Sequence, residues 1–250
     1  MFRSILNAMI EEFNPGLCLR DIANHWACRC TVPGPGMRAA GEILVRRYLE
    51  NGAAIAEMIP YAADDKTEFM GHRNQLEWQP QGAALEVVGT DGYTICRYDD
   101  QPLCLTCYSV ATPSEGIEAE VVVQRGPLTP DEVQEGQWAG KIVFTDQFPS
   151  TVVAAIGKSG AVGMMSDCVS PPWLVQHPPV REPEDVPDLV MWTIFSGLRN
   201  QPQIFGFNLS PRQGRRLRKL IRDSAESVVL KAIVQAKTVE GSSDFVHATL

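Results

Sequence analysis

The segment Gly140–Asp167, GKIVFTDQFPSTVVAAIGKSGAVGMMSD, constrains the fold of this chain more than any other stretch. A short β-branched run, Lys141–Thr145, precedes Pro149, whose missing N–H suits the first position of a helix. Gly160 would end that helix, and AVGMMS is typical of a second buried strand. One face of the helix is apolar, with Val152, Val153 and Ile156. Two apolar strands joined by a crossover helix are parallel neighbours, so the sequence predicts an α/β fold.

The same segment carries no side chain suited to act as a nucleophile and no cluster of metal ligands. Parallel strands often place a ligand at their carboxyl ends, but no phosphate-binding glycine pattern follows either strand here. The segment therefore predicts a fold without predicting a reaction.

Length, charge and the N-terminus limit the classes of protein to which the chain can belong. Its 250 residues suffice for one large or two modest domains, and its net charge of −8 argues against binding to nucleic acid. No apolar run reaches the ~20 residues of a membrane span. The N-terminus is interrupted by Glu11 and Glu12 and lacks the pattern of a signal peptide. We expect a cytoplasmic protein that begins with an amphipathic helix, its apolar face formed by Phe2, Ile5, Leu6, Met9 and Phe13.

Further elements precede the crossover segment. The pattern predicts helices over about Cys18–Cys28 and Met37–Leu49, the latter followed by Gly52 in a left-handed conformation, and then a strand over 53–62. Residues 64–81 are polar and irregular and are interpreted as a loop or lid edge. Further strands are predicted at Ala83–Gly89, Tyr93–Arg97, Leu103–Tyr108 and Glu118–Gly126.

After the crossover segment, residues 169–188 form a proline-rich loop, followed by strand-like runs at 188–197 and 203–210. Ser210, Pro211 and Gln213 form the signature of a capped helix start. The basic residues of that helix are interpreted as a solvated face: Arg212, Arg215, Arg216, Arg218, Lys219 and Arg222. Two strands joined by a Gly-Ser turn close the chain, and we expect the sheet that ends at Leu250 to be incomplete.

The seven cysteines suggest reduced thiols, because their number is odd and no secretion signal accompanies them. His25, Cys28 and Cys30 have the spacing H-x-x-C-x-C, and Cys104 and Cys107 form C-x-x-C. A zinc site combining the two groups is conceivable. Buried thiols without chemistry are the more common use of such residues, since alternate positions of a strand face opposite sides.

Four stretches resemble the sequences of one family of peptidases. The crossover segment resembles the protease-associated domain, whose pattern is a GKIV strand, a helix and then GA-x-G before a second strand. PGMRAAGEILVRRYLENGAAIAEMIPY resembles the first helix–strand unit of two-zinc aminopeptidases of the bacterial leucyl-aminopeptidase type. FGFNLSPRQGRRLRKLI resembles the segment that closes an inserted protease-associated domain, and VVLKAIVQAKTVEGSSDFVHATL is similar to the hairpin that returns to the catalytic sheet.

The resemblance implies a partial zinc-aminopeptidase α/β sheet with N-terminal helices and an inserted, β-rich protease-associated domain. Residues 1–98 would form the helices and first strands, 99–225 the insert, and 226–250 the returning hairpin. In that family the zinc ligands and the glutamate general base lie downstream of the hairpin. No residue of this chain is therefore matched to a catalytic or metal-binding role, and His247, within a strand, does not fit the His-x-Asp loop of the family.

The function implied by the resemblance is that of the N-terminal part of a zinc-dependent aminopeptidase, with the insert as lid or substrate-access module. Two zinc ions and a peptide substrate are expected for the full-length parent, and no cofactor or activity for these residues alone. Substrate-binding residues and oligomeric state stay open. One alternative is a non-catalytic binding module of a pseudo-peptidase, and another is a thiol enzyme that uses Cys104 or Cys168.

Overall fold

Two units, one inserted into the sequence of the other, make up the fold. A computed structural model describes residues 2–29, 31–89, 92–169 and 182–250. The outer unit consists of residues 1–77 and 240–250, and the inserted unit is the continuous stretch 78–239. These units divide the chain at different points from the segments expected from the sequence, 1–98, 99–225 and 226–250. The assignment of those segments to peptidase and protease-associated domains stays a prediction.

The outer unit contains three helices and a long antiparallel strand pair. The helices are α1 (Phe2–Glu12), α2 (Pro15–Ala27) and α3 (Pro35–Glu50). Strand β1 (Ile55–Ala63) pairs with the last strand of the chain, β11 (Gly241–Thr249), and a small hairpin joins β2 (Glu68–Phe69) to β3 (His72–Arg73). Helix α3 packs on the β1–β11 pair through Gly41, where a Cβ atom would lie 2.6 Å from the sulfur of Met58. The missing side chain therefore permits this close approach.

The inserted unit is built on a seven-stranded mixed sheet in the order β5-β4-β10-β6-β7-β8-β9. Its strands are β4 (Glu77–Val87), β5 (Thr94–Arg97), β6 (Ile117–Gln124), β7 (Ile142–Thr145), β8 (Gly163–Ser166), β9 (Phe205–Asn208) and β10 (Val229–Val239). Strands β6 to β9 run parallel, whereas β10 is antiparallel to β6 and β5 to β4. Helices α4 (Pro149–Lys158) and α5 (Pro211–Asp223) complete this unit. None of the described helices of the chain is both long and apolar enough to cross a membrane.

The crossover predicted from the sequence is present. Strands β7 and β8 are parallel neighbours, with Ile142 opposite Gly163, and α4 begins at Pro149. Gly160 has a φ of +76°, a conformation that favours glycine, just beyond the end of the helix. The predicted apolar face of α4 is buried, with Val152, Val153 and Ile156 all less than 7% exposed.

Two strand predictions and one loop prediction require correction. Residues 103–108 do not form a strand: Pro102–Cys104 is a 3₁₀ turn, and only Leu105 and Cys107 make isolated bridges. The region 64–81 is not wholly a loop, because it contains the β2–β3 hairpin and the start of β4. Of residues 188–197, Ile194 alone makes a bridge. For 103–108 and 188–197, the apolar pattern did not determine the backbone conformation, and for 64–81 the polar composition did not exclude short strands.

The prediction that the chain closes with a hairpin also requires correction. Strands β10 and β11 follow each other with only Glu240 between them, yet they belong to different sheets. Strand β10 lies between β4 and β6 in the inserted unit, and β11 pairs with β1 in the outer unit. Local sequence resembles a hairpin because both strands are regular, whereas the choice of partner depends on residues far away in the chain.

The core of the parallel sheet depends on one glycine. Gly163 of β8 lies beside Phe205 of β9, whose side chain is 1% exposed, and a Cβ atom at this position would overlap the aromatic ring. Phe205 in turn makes an edge-on contact with Phe207, with 6.1 Å between the ring centroids, which is within the usual range for aromatic pairs. The ring therefore has little room to move.

We predict that Gly163→Ala lowers the free energy of unfolding by about 1–3 kcal/mol, because the added methyl group overpacks a closed core. Denaturant unfolding followed by circular dichroism measures this loss. Gly82→Ala is the control, since a Cβ atom there would meet only the end of the exposed Gln235 side chain, at 3.2 Å. Equal losses for the two variants would contradict the proposed tight contact.

Candidate functional site

The histidine and cysteine cluster near the N-terminus does not form a metal site in the part of the chain that the structure describes. His25 lies in the last turn of α2 and Cys28 caps that helix, while Cys30 lies outside the described residues. Cys104 and Cys107 belong to the inserted unit. Across the described residues, no three His, Cys, Asp or Glu side chains are grouped as metal ligands.

The C-x-x-C pair is buried, and Cys104 interacts with Cys96 of β5. The hydrogen bond with Cys104 and, second, burial raise the pKa of the Cys96 thiol well above its ordinary value of 9.0. Thiols held in their protonated form are poor nucleophiles. Cys104 is 0% exposed, so the structure gives no support to a thiol enzyme centred on this residue. The six cysteines that the structure describes all carry free thiols: Cys18, Cys28, Cys96, Cys104, Cys107 and Cys168.

The remaining histidines are His72, His177 and His247. His72 lies exposed on β3, and His247 lies exposed on β11 with its Nδ1 atom 3.7 Å from a carboxylate oxygen of Glu57. His177 and most of the proline-rich segment 169–188 fall in residues 170–181, outside the described part of the chain. The sequence predicted no catalytic role for these histidines.

A cleft of the inserted unit has a volume of about 560 Å³ and lies where the parallel strands end. Asp146 and Gln147 follow β7, and Asp167 and Cys168 follow β8, while the first turns of α4 and α5 contribute Thr151 and Pro211. Carboxyl ends of parallel strands and helix N-termini meet at such an edge because of the crossover connection. The crossover segment thus positions a binding cleft, although it contains no catalytic cluster.

Several charged side chains that line the cleft contact each other or the backbone. The Arg218 guanidinium pairs with both carboxylate oxygens of Asp167, with 2.8 Å between Nη2 and Oδ1, and lies 4.0 Å from the centroid of the Phe144 ring. Asp146 accepts a hydrogen bond from the backbone N–H of Gly126 at 3.0 Å. Arg215 lies 3.5 Å from Glu184 at the exposed rim. The cleft therefore presents a balanced mixture of charges to a ligand.

No hydroxyl or thiol of the cleft has the environment of an activated nucleophile. The Thr151 hydroxyl donates a hydrogen bond to the Phe148 carbonyl oxygen at 2.7 Å, which occupies its proton. Cys168 is only half-buried, and its backbone N–H donates a hydrogen bond to the Ser166 hydroxyl oxygen at 3.1 Å. A nucleophile requires an adjacent base, and no histidine lines the cleft among the described residues.

Helix α5 confirms one prediction and corrects another. The capping box is formed: the Ser210 hydroxyl accepts from the Gln213 N–H at 3.3 Å, and the Gln213 side-chain oxygen accepts from the Ser210 N–H at 2.8 Å. The interpretation of all its basic residues as a solvated face is wrong for Arg218, whose side chain is 16% exposed. Arg218 follows Gly214 by one turn, and Gly214 leaves the space that Asp167 occupies. This spacing is the sequence signal that could have identified the pair.

The outer unit contains a second buried charged group, which sequence reasoning missed. Arg38 of α3 contacts Glu77 at 3.2 Å and Asp244 at 3.3 Å, and donates a hydrogen bond to the Ser242 hydroxyl at 3.1 Å. The carboxylates are 4% and 6% exposed, whereas Arg38 is 39% exposed. The Glu77 side chain also accepts the backbone N–H of Ser242 at 3.2 Å. The Arg38 guanidinium therefore contacts the outer unit's chain on both sides of the inserted residues 78–239.

The chain matches no model of a known protein family and no curated protein sequence. Its fold is similar to a solved structure of a peptidase M28 precursor from Shewanella amazonensis SB2B, with a TM-score of 0.57, 14% identity, and coverage of 90% of this chain and 49% of that chain. It is also similar to BSAP, a zinc aminopeptidase from Bacillus subtilis, with a TM-score of 0.54, 11% identity, and coverage of 91% and 45%. The chain spans about half the length of these structures.

At these identities the comparison establishes a shared fold and no more. The mixed α/β architecture, with its seven-stranded mixed sheet and five described helices, is similar to the folds of these M28-type peptidases. This confirms the fold expected from the resemblance at that level.

We predict that Arg38→Leu lowers the free energy of unfolding by about 2–4 kcal/mol, because it removes the guanidinium that both buried carboxylates contact. The loss should lie below that of a fully buried pair, since Arg38 is partly exposed to solvent. Arg47→Leu is the matched control in the same helix: its partners Asp21 and Glu50 are 38% and 52% exposed, so water can solvate them and the loss should be much smaller. Denaturant unfolding measures both, and equal losses would show that Arg38 has no special role.

We predict that the protein loses stability as the pH rises above about 9. The unfolded Cys96 thiol ionises near its ordinary pKa of 9.0, whereas the folded thiol stays protonated because its pKa is raised. Stability is therefore complete below this pH and declines as the pH approaches the folded pKa. Burial raises the pKa of Tyr108 in the same direction.

Urea unfolding at several values from about pH 8 to about pH 10 measures this loss, and Cys96→Ala should reduce its steepness. Cys18→Ala, at an exposed position, should follow the wild-type profile. A profile for Cys96→Ala as steep as that of the wild type would contradict the assignment.

Proposed function

We propose that this chain is the N-terminal part of a zinc-dependent aminopeptidase-like hydrolase. The observation that carries the proposal is the fold: about nine-tenths of the chain is similar to an M28 peptidase precursor and to a zinc aminopeptidase, each about twice its length. The order of the motifs along the sequence supports the same assignment. The substrate would be a peptide, since BSAP is a zinc aminopeptidase.

In this proposal the inserted unit is a protease-associated domain that acts as lid or substrate-access module. Three observations support it: the unit interrupts the outer unit in sequence, it contains the GKIV strand and the GA-x-G strand as parallel neighbours, and its cleft has no activated nucleophile. A module that controls access requires shape and apolar surface, and the cleft edge provides Phe148, Val169 and Pro183. Two ion pairs line it, Arg218 with Asp167 and Arg215 with Glu184.

The described residues do not fit a site for two zinc ions. Such a site needs several His, Asp or Glu ligands converging on the metals, and no three of these side chains come together in the described ranges. We therefore assign no catalytic step to residues of this chain. Under the proposal, the metals and the general base belong to other residues of the parent protein, and the 250 residues alone are inactive.

The second candidate function is that of a non-catalytic binding module of a pseudo-peptidase. It is favoured by the same cleft, whose Arg218–Asp167 pair is buried and whose hydroxyl groups are engaged with the backbone. The two candidates agree on what these residues do and differ on whether the parent protein cleaves a bond.

We predict that the 250-residue chain, incubated with zinc and then dialysed, retains no stoichiometric zinc and releases no nitroaniline from leucine p-nitroanilide. The physical reason is the lack of a converging ligand set in the described residues. Elemental analysis by mass spectrometry measures the metal, and absorbance measures the release of nitroaniline. The matched sample is the product of the complete reading frame, which should cleave the substrate in a manner sensitive to EDTA.

The outcomes distinguish the candidates. Zinc-dependent cleavage by the 250 residues alone would overturn the proposal. Failure of the complete product to cleave, with its fold intact by circular dichroism, would favour the binding module. Cleavage that iodoacetamide abolishes and EDTA does not would point instead to a thiol enzyme, with Cys168 as the accessible candidate of the cleft.

A further inference from the structure

The inserted unit contains three buried thiols that the proposed function does not use: Cys96, Cys104 and Cys107. In sequence, Cys104 and Cys107 have the C-x-x-C spacing of thiol–disulfide redox motifs. In the structure, the thiol of Cys104 is instead hydrogen-bonded to the thiol of Cys96, which lies in β5. The contact therefore indicates a different pair of reactive sulfur atoms from the pair that the motif indicates.

The backbone beside each of these two thiols is hydrogen-bonded to the same short segment of chain. The Gln213 side-chain amide donates a hydrogen bond to the carbonyl oxygen of Ile95, at 2.8 Å. The Asn208 side-chain amide donates one to the carbonyl oxygen of Leu103, at 2.7 Å. Ile95 and Leu103 directly precede the two hydrogen-bonded cysteines, and the segment from Asn208 to Gln213 contains the capping box of α5. Both thiols are therefore positioned by contacts other than their own hydrogen bond.

The position of β5 in the sheet gives a reagent a way to reach these thiols. The strand has four residues and stands first in the strand order, where β4 is its neighbour. A short strand at the edge of a sheet opens locally more readily than the central strands. Opening breaks the hydrogen bond with Cys104 and removes the burial, the two causes that raise the pKa of Cys96 in the closed state. The open strand therefore exposes a thiol of ordinary acidity.

We propose that Cys96 and Cys104 form a disulfide bond when the protein meets a low-molecular-weight disulfide such as oxidised glutathione. In the open state the Cys96 thiolate attacks one glutathione sulfur, which forms a mixed disulfide and releases one glutathione thiolate. When β5 closes, Cys104 loses its proton and its sulfur displaces the second glutathione thiolate. The protein thereby loses two electrons and two protons, and oxidised glutathione becomes two glutathione thiols.

The bond makes the edge of the sheet sensitive to redox conditions. Strand β5 is then joined covalently to the 3₁₀ turn Pro102–Cys104, so it no longer opens by itself. We expect the amides of residues 94–97 to exchange with deuterium at least about 10-fold more slowly in the oxidised protein than in the reduced protein. This inference concerns the inserted unit and does not depend on the proposed peptidase function.

Tryptic peptide mapping after oxidation tests the pairing. The 250-residue chain is incubated with oxidised glutathione at about pH 8, trapped with N-ethylmaleimide in denaturant and digested. Trypsin cleaves after Arg97, which separates Cys96 from the other two thiols. Cys104 and Cys107 stay together in peptide 98–125. The expected product is a cross-link between the two peptides, with Cys107 alkylated, and dithiothreitol should release it.

Cys107→Ser and Cys104→Ser are the matched variants, since each lacks one thiol of the C-x-x-C pair. The first should retain the cross-link, and the second should lose it. If a variant fails to fold, as judged by circular dichroism, the wild type decides: fragmentation of its cross-linked peptide between Leu105 and Thr106 shows which thiol is bonded.

Four results would overturn the proposal. A disulfide within peptide 98–125 would mean that the motif, and not the contact seen in the structure, determines the pairing. A cross-link that persists in Cys104→Ser would assign the bond to Cys107. Alkylation of all three thiols in the oxidised wild type would show that no disulfide forms. Equal exchange of residues 94–97 in the oxidised and reduced proteins would show that the edge strand is not fastened.

Discussion

The two ion pairs of Arg38 join the parts of the outer unit's chain that lie before and after the inserted stretch. The Arg38 guanidinium lies between Glu77, the last residue before the inserted stretch, and Asp244, which follows that stretch closely. Two nearly buried carboxylates without a cation would be costly, since a charge removed from water needs compensation. The backbone N–H of Ser242 adds a hydrogen bond to Glu77 at 3.2 Å, which ties together two chain segments 165 residues apart. The long insertion can therefore interrupt the outer unit while its two ends stay fixed.

The inserted unit also contains a largely buried ion pair. Arg218 pairs with Asp167 at the end of β8 and lies on the face of Phe144, so one side chain links a helix, a loop and the core of the sheet. Gly214 leaves the space for this pair, and the capping box at Ser210 fixes where α5 begins. The cleft at the strand ends is consequently preformed and charge-balanced. Such a surface can guide or cover a ligand without carrying out chemistry, which agrees with the role proposed for it.

Local features of this fold could be predicted from the sequence, and long-range ones could not. The crossover of β7, α4 and β8 and the start of α5 depend on proline, glycine and capping residues within a few positions of one another. The partners of β10 and β11 were missed because Glu240 alone separates two strands that join different sheets. The Arg38–Glu77 pair joins residues 39 positions apart, and no local pattern distinguishes Arg38 from its exposed neighbours. For the candidate cleft, the sequence indicated only the two parallel strands at whose carboxyl ends it lies.

The central claim is that these 250 residues provide framework and cover, with no catalytic metal centre of their own. The most direct measurement is X-ray diffraction at the zinc absorption edge from crystals of this chain soaked in zinc. The account predicts no pair of ordered anomalous peaks. Two peaks separated by about 3.5–4 Å and held by side chains of this chain would contradict it.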